Sequence, residues 1–304
     1  MGYMIDLRRL HVLRAVAHYG TVTAAARALH FTPSAASQQI RQLARDLDVV
    51  LLEPQGRGVR LTPAAESLLS HADAIQARWD QAELDLRADR DAPAGVLRVT
   101  GFPVAVSVLL APMAARLRER HPRLSVRIAE AGVGQSFDLL FEGAADLAVL
   151  ESTPLDPPLG DARFDREPLL EDPFDLVVPA GHPLAGAERI DLVRAAREPW
   201  IAPAPESPCR LHVMSACGAA GFAPDVVHHA HDWNAIAHLV AHGLGVALIP
   251  RLARPAPDLP IVRVTCAGNP HRALLTCTRG GGRARPAVRA ALRELRELAA
   301  TAVA

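Results

Sequence analysis

Residues 21–47, TVTAAARALHFTPSAASQQIRQLARDL, decide the fold of the first part of the chain. Small side chains dominate residues 24–29, which predicts a short helix that another helix can approach closely, with the hydroxyls of residues 21–23 available to cap it. Thr32 followed by Pro33 predicts the start of a further helix, because a hydroxyl cap and a proline at the first helical position suit a helix N-terminus. We therefore predict two helices joined by the short break at His30 and Phe31.

The second of these helices has one apolar and one polar face at helical spacing. The apolar face carries Ala36, Ile40, Leu43 and Leu47. The polar face carries Ser34, Ser37, Gln38, Arg41 and Arg45. Such hydroxyl, amide and guanidinium groups can bond base edges in the major groove, and guanidinium groups also neutralise phosphates. A solvated polar face on a generic helical domain would show the same pattern, so periodicity alone leaves both interpretations open.

The flanking sequence completes a small domain. Leu7, Leu10, Leu13 and Val16 recur at helical spacing, which predicts a first helix that ends near Gly20. After the polar helix, we predict a strand over residues 49–52, a turn over 53–58 and a second strand over 59–61. This hairpin would place Arg57 and Arg60 near its tip, as a wing beside the polar helix.

The charge of the whole chain conceals opposed segments. The 304 residues hold 33 basic and 33 acidic side chains, which is a net charge of zero and argues against a polyelectrolyte-like nucleic-acid binder. Residues 1–63 hold eight Arg and four acids, which is +4, and residues 64–92 hold three Arg and seven acids, which is −4. The chain contains no Lys, so every basic contact must come from a guanidinium. With half the residues hydrophobic, wholesale disorder is excluded.

Three stretches of this first segment resemble the N-terminal domain of LysR-type transcriptional regulators. They are residues 23–30 (TAAARALH), 32–43 (TPSAASQQIRQL) and 51–64 (LLEPQGRGVRLTPA). The chain departs from the family pattern at Asp48, where Gly is usual, at Leu52, where Phe is usual, and at Pro54, where Arg is usual. The change at Pro54 takes away one candidate phosphate contact, and none of the three changes undoes the fold.

The resemblance implies that the start of the recognition helix faces double-stranded promoter DNA. Pro33 would lie at this surface, and Arg27, on the preceding helix, is a weaker candidate for a contact. The residues expected to contact bases are Ser34, Ala35 and Gln38. The residues expected to contact phosphates are Thr32, Ser37, Arg41, Arg57 and Arg60.

An acidic segment with a heptad pattern follows, over residues 64–92. Its apolar positions recur at spacings of 3 and 4, which predicts one long helix with a single apolar stripe. The stripe consists of Ala65, Leu68, Ala72, Ile75, Trp79, Ala82 and Leu86. A second copy of the chain would bury it, giving a homodimer or homotetramer and placing two recognition helices on a partly palindromic site. The alternative is that the stripe docks on the chain's own C-terminal domain.

The remaining residues, 93–304, predict alternating strands and helices. Strands at 96–100, 124–129 and 145–150 with helices at 106–120 and 135–141 form a βαβαβ unit, which implies parallel pairing. Further strands are predicted at 174–179, 200–202, 225–229, 246–250, 261–265 and 272–278, and a last helix at 286–300. Residues 95–99, 181–185, 220–222 and 239–250 resemble the effector domain of the same family.

The resemblance implies an α+β chain in two parts. A winged helix-turn-helix domain (1–63) and a linker helix (64–92) would precede an α/β domain similar to periplasmic binding proteins (93–304). That domain would have two subdomains, about 93–166 with 270–304 and about 167–269. Two crossovers, near residues 166–172 and 266–272, would join them.

A small-molecule effector would then bind in the cleft between the subdomains, at the carboxyl ends of strands and the helix starts that follow. The residues implied are Gly101, Phe102, Pro103, Gly132, Val133, Gln135, Ala204, Glu206, Ser207, His231 and Trp233. Many relatives have Ser or Thr at the first helix start, where hydroxyl and backbone N–H groups hold a carboxylate. Here only Ser107 offers a hydroxyl, which predicts an effector less polar than a small carboxylate.

Other chemistry has little support in the sequence. We expect no cofactor and no metal, since His228, His229 and His231 lack partners at metal-ligand spacing. Cys209 and Cys217 lie where the peroxide-sensing branch of the family keeps its redox pair, at a similar but not identical spacing, and we expect inert buried thiols. With no apolar run of about 18 residues and no signal peptide, we expect a cytoplasmic protein. The sequence shows no catalytic constellation, so we expect a regulator rather than an enzyme. The alternative is an α/β solute-binding protein or enzyme with an incidental helical N-terminus.

Overall fold

The structure is a computed structural model that describes residues 7–55, 58–72, 75, 93–154, 156–158, 160–161 and 163–302. The chain divides into two compact units, Met1–Arg87 and Ala88–Ala304, which we call the N-terminal unit and the C-terminal unit. Within the described ranges, no helix is long and apolar enough to cross a membrane.

Three helices form the body of the N-terminal unit: α1 (Leu7–Tyr19), α2 (Val22–Ala28) and α3 (Pro33–Leu47). Thr21 caps α2, since its hydroxyl accepts a hydrogen bond from the backbone N–H of Ala24 at 3.1 Å, so this helix begins two residues before the predicted start. Thr32 caps α3 through the N–H of Ala35 at 3.2 Å, with Pro33 at the first helical position as predicted. The three helices pack their buried residues together, including Leu13, Ala25, Ala26, Ile40 and Leu43.

The wing is an antiparallel hairpin of β1 (Leu52–Gln55) and β2 (Gly58–Leu61), so the predicted hairpin is confirmed and its predicted strand and turn bounds were wrong. Of the residues assigned to the turn, Glu53, Pro54, Gln55 and Gly58 belong to strands, and Pro54 pairs with Val59. Val49 instead completes the end of α3, because its N–H donates to the carbonyl of Ala44 at 3.0 Å. Val50 is 64% exposed and Leu51 is buried, so only part of the apolar run at 49–52 contributes to the core. Proline is tolerated in an edge strand, and both strands of a hairpin are edges.

The described part of the linker, which we call α4, is helical over residues 63–72, with residue 75 also helical. Its start is fixed by Thr62, whose hydroxyl accepts from the N–H of Ala65 at 3.1 Å. Ala65, Leu69 and Ala72 are buried within the N-terminal unit. Leu69 lies outside the predicted stripe, so the first turns of this helix use a neighbouring face for their own core.

The C-terminal unit begins with the predicted parallel βαβαβ arrangement. Strands β3 (Gly95–Gly101), β4 (Leu124–Glu130) and β5 (Leu147–Glu151) are parallel in the order β4-β3-β5. The helix after β3, named α5, runs through Pro103–Ala105, a π-helical turn at Val106–Leu110, and Ala111–Arg120. The π turn ends two residues before Pro112, which lacks an N–H and crowds the carbonyl four residues earlier, within the turn. Helix α6 (Val133–Phe141) connects β4 to β5.

A long strand, β6 (Phe164–Pro179), divides the unit into two lobes. Its residues up to Pro173 pair with β12 (His271–Arg279), whereas those from Phe174 pair with β10 (Ala247–Pro250) and β11 (Ile261–Cys266). We define the first lobe as residues 93–173 with 271–302, and the second lobe as residues 174–266. The change of partner lies just beyond the crossover predicted at residues 166–172, and the strand begins ten residues before the predicted Phe174.

The second lobe is completed by a smaller parallel pair and its helices. The remaining elements of the unit are β7 (Arg189–Ile190), a 3-10 turn at Leu192–Ala195, β8 (Pro199–Pro203), α7 (Pro208–Ala219), β9 (Asp225–Ala230), α8 (Trp233–Ala241), a 3-10 turn at Gly282–Ala284 and α9 (Pro286–Ala302). Strands β8 and β9 are parallel, with α7 as the connection between them, so the helix starts follow strand ends in this lobe too. Helix α9 returns to the core of the first lobe.

Candidate DNA-binding surface and effector cleft

The recognition helix α3 presents its predicted polar face to solvent. Ala36, Ile40 and Leu43 are buried on its inner side. Of the predicted contact residues, Ala35 and Ser37 are half-buried, and the exposed ones on this helix and its cap are Thr32, Pro33, Ser34, Gln38 and Arg41. Arg27 on α2 is also exposed. The helix therefore buries one face and leaves the hydroxyl, amide and guanidinium groups of the other available to a partner.

The arginine of the wing already has a carboxylate partner. Arg60 Nη2 lies 2.6 Å from Glu53 Oε2, and the two residues face each other across the hairpin register. Their side chains are 63% and 45% exposed, so water reaches both charged groups. Arg57, the other predicted wing contact, lies outside the described residues.

The predicted dimerisation stripe is described only at its beginning. Leu68 is half-buried, Ala72 is buried, and Ile75 is 50% exposed. Trp79, Ala82 and Leu86 lie outside the described residues. The exposure of Ile75 is consistent with an apolar stripe that needs a partner to cover it.

In the C-terminal unit, the predicted cleft residues lie where strands end and helices begin. Phe102 and Gly132 are the N-cap residues of α5 and α6, and Ser207 is that of α7. None of these three makes a side-chain hydrogen bond to its helix, so the backbone N–H groups of the first turns remain available to a ligand, except at Pro103 and Pro208, which have none. Pro103 and Val133 follow directly, and Gln135 lies in the first turn of α6.

The other predicted cleft residues belong to two different environments. Glu206 and His231 are exposed on the second lobe, with Glu206 Oε1 3.1 Å from His231 Nε2, and Trp233 opens α8. Gly101 and Ala204 are buried. A Cβ at position 101 would lie 3.1 Å from a Leu110 methyl carbon, so this glycine lets α5 pack closely on the sheet.

A buried ionic cluster beneath Phe102 is the main feature that the sequence reasoning did not find. The Arg272 guanidinium on β12 lies 2.8 Å from Glu151 Oε2 and 2.9 Å from Asp172 Oδ2, and it stacks 5.0 Å from the centre of the Phe102 ring. Arg272 is 1% exposed and both carboxylates are buried. One sequence feature could have indicated the cluster: Glu151 follows the apolar residues 147–150 directly, which places a carboxylate at the end of a buried strand.

Two residues of α7 extend this cluster into the second lobe. The Cys209 thiol donates to Glu151 Oε2 at 3.1 Å, and His212 Nε2 lies 3.2 Å from Glu151 Oε1. Asp172 also accepts the backbone N–H of Leu252 at 2.9 Å. One carboxylate of the first lobe therefore holds the first turns of a second-lobe helix, directly below the predicted cleft.

Burial and neighbouring charges set the protonation states of the cluster. Burial favours the neutral carboxyl of Glu151, but the hydrogen bond from His212 and the charge of Arg272 outweigh it and lower its pKa. At Asp172 burial outweighs the charge of Arg272 and the pKa is raised. Burial, together with the negative charge of Glu151, raises the pKa of the Cys209 thiol to about 12.

Cys209 and Cys217 are both buried free thiols on the same helix. A separation of eight residues corresponds to a rise of about 12 Å, far beyond disulfide reach unless α7 unwinds. Burial also raises the pKa of Cys217 to about 12. Among the described residues, no group of three or more His, Cys, Asp and Glu side chains is arranged to hold a metal ion.

Comparison with known families agrees with this architecture. A model of the LysR substrate binding domain matches residues 90–300, and a model of the bacterial regulatory helix-turn-helix protein, lysR family, matches residues 7–66. The chain belongs to the LysR family of transcriptional regulators. Its winged helix-turn-helix domain is the DNA-binding domain of that family, and its C-terminal unit is the effector-binding domain.

Individual relatives are regulators as well. The chain is 30% identical over 263 residues to the HTH-type transcriptional regulator AlsR of Bacillus subtilis, with 84% of each chain covered. It is 30% identical over 255 residues to a protein of Mycobacterium avium named "Probable hydrogen peroxide-inducible genes activator", with 83% of this chain and 80% of the relative covered. These relatives are not enzymes, which removes the alternative of an enzyme with an incidental helical N-terminus.

Solved structures share the fold at lower identity. A peroxide-bound cysteine mutant of OxyR from Corynebacterium glutamicum is 22% identical and superimposes with a TM-score of 0.63, covering 100% of this chain and 95% of its own. Full-length BenM is 22% identical with a TM-score of 0.60 and 97% of each chain covered.

Proposed function

We propose that this regulator binds a specific promoter or operator sequence through α3 and the wing, and that a small molecule in the cleft of the C-terminal unit modulates this binding. The observation that carries the proposal is the pair of faces on α3, one buried in the unit's core and one exposed and rich in donors. We also propose that the regulator is cytoplasmic and meets its double-stranded DNA target there.

The contacts proposed on DNA divide into two kinds. Ser34, Ala35 and Gln38 read base edges, because they lie at the exposed N-terminal part of the helix that enters the major groove. Phosphate contacts orient the helix and carry no sequence information of their own. We assign these to Thr32, Ser37, Arg41, Arg57 and Arg60, with Pro33 packed at the same surface and Arg27 as an auxiliary contact.

We further propose that the linker stripe of Leu68, Ala72, Ile75, Trp79, Ala82 and Leu86 pairs with a second copy of the chain. The exposed Ile75 supports this assignment, because its side chain has little apolar cover within its own unit. Pairing two long helices gives a homodimer, on which a homotetramer can be built. Two recognition helices would then contact successive major grooves of a partly palindromic site.

For the effector we propose a molecule less polar than a small carboxylate. The start of α5 offers Phe102 in place of a hydroxyl, and the Arg272 guanidinium, 5.0 Å from the Phe102 ring, is already paired with two carboxylates. The effector would place an apolar or aromatic body between Phe102 and Trp233 and direct oxygen atoms at the uncapped helix starts. Glu206, Ser207 and His231 would contact it from the second lobe, and Gly132, Val133 and Gln135 from the first.

Peroxide sensing at Cys209 is a second candidate, because relatives carry that function in their names. The environment of Cys209 argues against it. Peroxide reacts with thiolate, and the Glu151 carboxylate accepts a hydrogen bond from the Cys209 thiol, which together with its negative charge opposes loss of the thiol proton. We therefore propose that the regulator responds to a ligand bound in the cleft rather than to the formation of a disulfide.

A gel shift with DNA upstream of the regulator's own gene tests the DNA-binding half of the proposal. Specific binding should weaken steeply as salt rises, because phosphate contacts release counterions. A thermal-shift screen of metabolites tests the effector half. If simple organic acids give the largest stabilisation, the proposal of a less polar effector is overturned while DNA binding stands.

A further inference from the structure

A second cavity lies away from the proposed cleft, at the crossover that returns the chain to the first lobe. It has a volume of about 520 Å³, which is large enough for a small molecule. One wall is a face of α7 with His212, Ser215, Ala216 and Ala219, and the opposite wall is the crossover loop at residues 267–271. Asp191, at the start of the 3-10 turn, also lines the space and is exposed to solvent. We call this space the hinge cavity.

The hinge cavity touches the buried cluster through His212, and a second lining histidine, His271, directly precedes a cluster residue in the chain. His212 lines the cavity and also contacts the Glu151 carboxylate at 3.2 Å. His271 lines the opposite wall, and the next residue in the chain is Arg272. Gly268 and Asn269, just before His271 in the crossover loop, both have left-handed backbone conformations, with φ of 77° and 47°. A ligand here would therefore contact the tight turn of the chain that links the two lobes.

The charge of the lining favours a cation. Asp191 supplies a carboxylate, and the lining contains no arginine. The neighbouring carboxylates of Glu151 and Glu171 already face His212 at 3.2 Å and His271 at 3.8 Å, so Asp191 is the carboxylate that the lining offers to a ligand. Ser215 and the Asn269 side chain offer acceptor oxygens, and the alanines of α7 and the loop give an apolar floor for a short carbon chain.

We propose that the hinge cavity is a second ligand site for a small organic cation, such as an alkyl amine, and that its occupant acts on the cleft through His212 and the crossover loop. The ammonium group would lie against Asp191 and the oxygen of Ser215 or Asn269. The carbon chain would cover Ala216 and Ala219. This proposal rests on the described cavity and does not require the cleft to bind any particular effector.

Calorimetric titration of the full chain with three four-carbon probes tests the charge preference. The probes are 1,4-diaminobutane, butane-1,4-diol and succinate, which differ in charge and share their length. We expect saturable binding of the diamine, at least tenfold tighter than that of the other two. Equal binding of all three, or binding of succinate alone, would overturn the proposal.

Paired variants locate the site. Asp191→Asn should weaken diamine binding about tenfold, whereas Asp258→Asn, at an exposed position outside the cavity, should leave it unchanged. Ala219→Trp should block the cavity, whereas Leu211→Trp, on an exposed position of the same helix, should not. Equal losses in both members of each pair would mean that the amine binds elsewhere. A gel shift that fails altogether would refute the DNA-binding proposal and leave this result standing.

Discussion

Arginine side chains have opposite roles in the two units. In the N-terminal unit, Arg60 shares an ion pair with Glu53 that is open to water on both sides. In the C-terminal unit, Arg272 is 1% exposed and enclosed by two carboxylates. Exposed pairs contribute about 0–1 kcal/mol, because water can replace either partner, whereas breaking a buried pair leaves an uncompensated charge. The first guanidinium can exchange its carboxylate for a phosphate, and the second is fixed for as long as the chain is folded.

The largest effect is expected from Arg272→Met. The substitution keeps most of the side-chain volume but leaves Glu151 and Asp172 buried without their cation, so the free energy of unfolding should fall by about 3–5 kcal/mol. Guanidinium denaturation followed by circular dichroism measures it. Arg118→Ala, at an exposed helix position, should change stability by less than about 0.5 kcal/mol. Equal stabilities of the two variants would show that the cluster does not hold the lobes together.

A second large effect concerns the thiol in the same cluster. A pKa of about 12 instead of 9.0 leaves Cys209 about a thousandfold less ionised than an unfolded thiol below pH 9. Iodoacetamide should label native Cys209 about a thousandfold more slowly than the same residue in denaturant, with peptide mass spectrometry as the readout. Above pH 9 the unfolded chain loses this proton before the folded chain does, so the Cys209 thiol should lower stability as pH rises toward 12. Rapid sulfenic acid formation at Cys209 under mild peroxide would contradict this and favour the peroxide sensor.

The two units also differ in how far the sequence predicts them. The faces of α3 follow from local periodicity and from the Thr32–Pro33 start, so the recognition helix was predicted with its cap. The buried cluster joins Glu151, Asp172, Cys209 and Arg272, which are far apart in sequence. Each is an ordinary residue in its own segment. The pairing of β12 with β5 and β6 brings Glu151, Asp172 and Arg272 together, and α7 adds Cys209. Tertiary contacts of this kind leave no periodic signal.

The sequence predictions failed for the bounds of the wing strands and for the start of β6, because the local pattern in both places was ambiguous. The apolar residues 49–52 serve first the end of α3 and then the hairpin, which shifted the predicted wing. The first ten residues of β6 include charged side chains and two prolines, so their sequence did not predict the strand that pairs with β12. The proposed contact residues on DNA and in the cleft stay predictions until variants are measured.

An intermediate effect should separate the two kinds of DNA contact on the N-terminal unit. Gln38→Ala should cost about 1–3 kcal/mol on the specific site and little on random DNA, because a base-edge bond is lost. Arg41→Ala should weaken binding on both DNAs alike and reduce the salt slope by about one, because a phosphate contact is lost. Gel shifts at several salt concentrations distinguish these outcomes. If the two variants behave alike, the assignment of separate base and phosphate contacts is wrong.

The smallest effect tests whether the exposed ion pair of the wing competes with DNA. Glu53→Gln removes the carboxylate that faces Arg60 at 2.6 Å, so the guanidinium no longer has to leave a charged partner before it contacts a phosphate. Binding should tighten severalfold at low salt, a gain below about 1 kcal/mol, and the gain should shrink as salt screens the pair. Glu66→Gln, an exposed carboxylate of the same unit, is the matched control and should have little effect. Weaker binding by Glu53→Gln would show instead that the pair orders the hairpin, so that even an exposed arginine of this unit depends on its carboxylate for position.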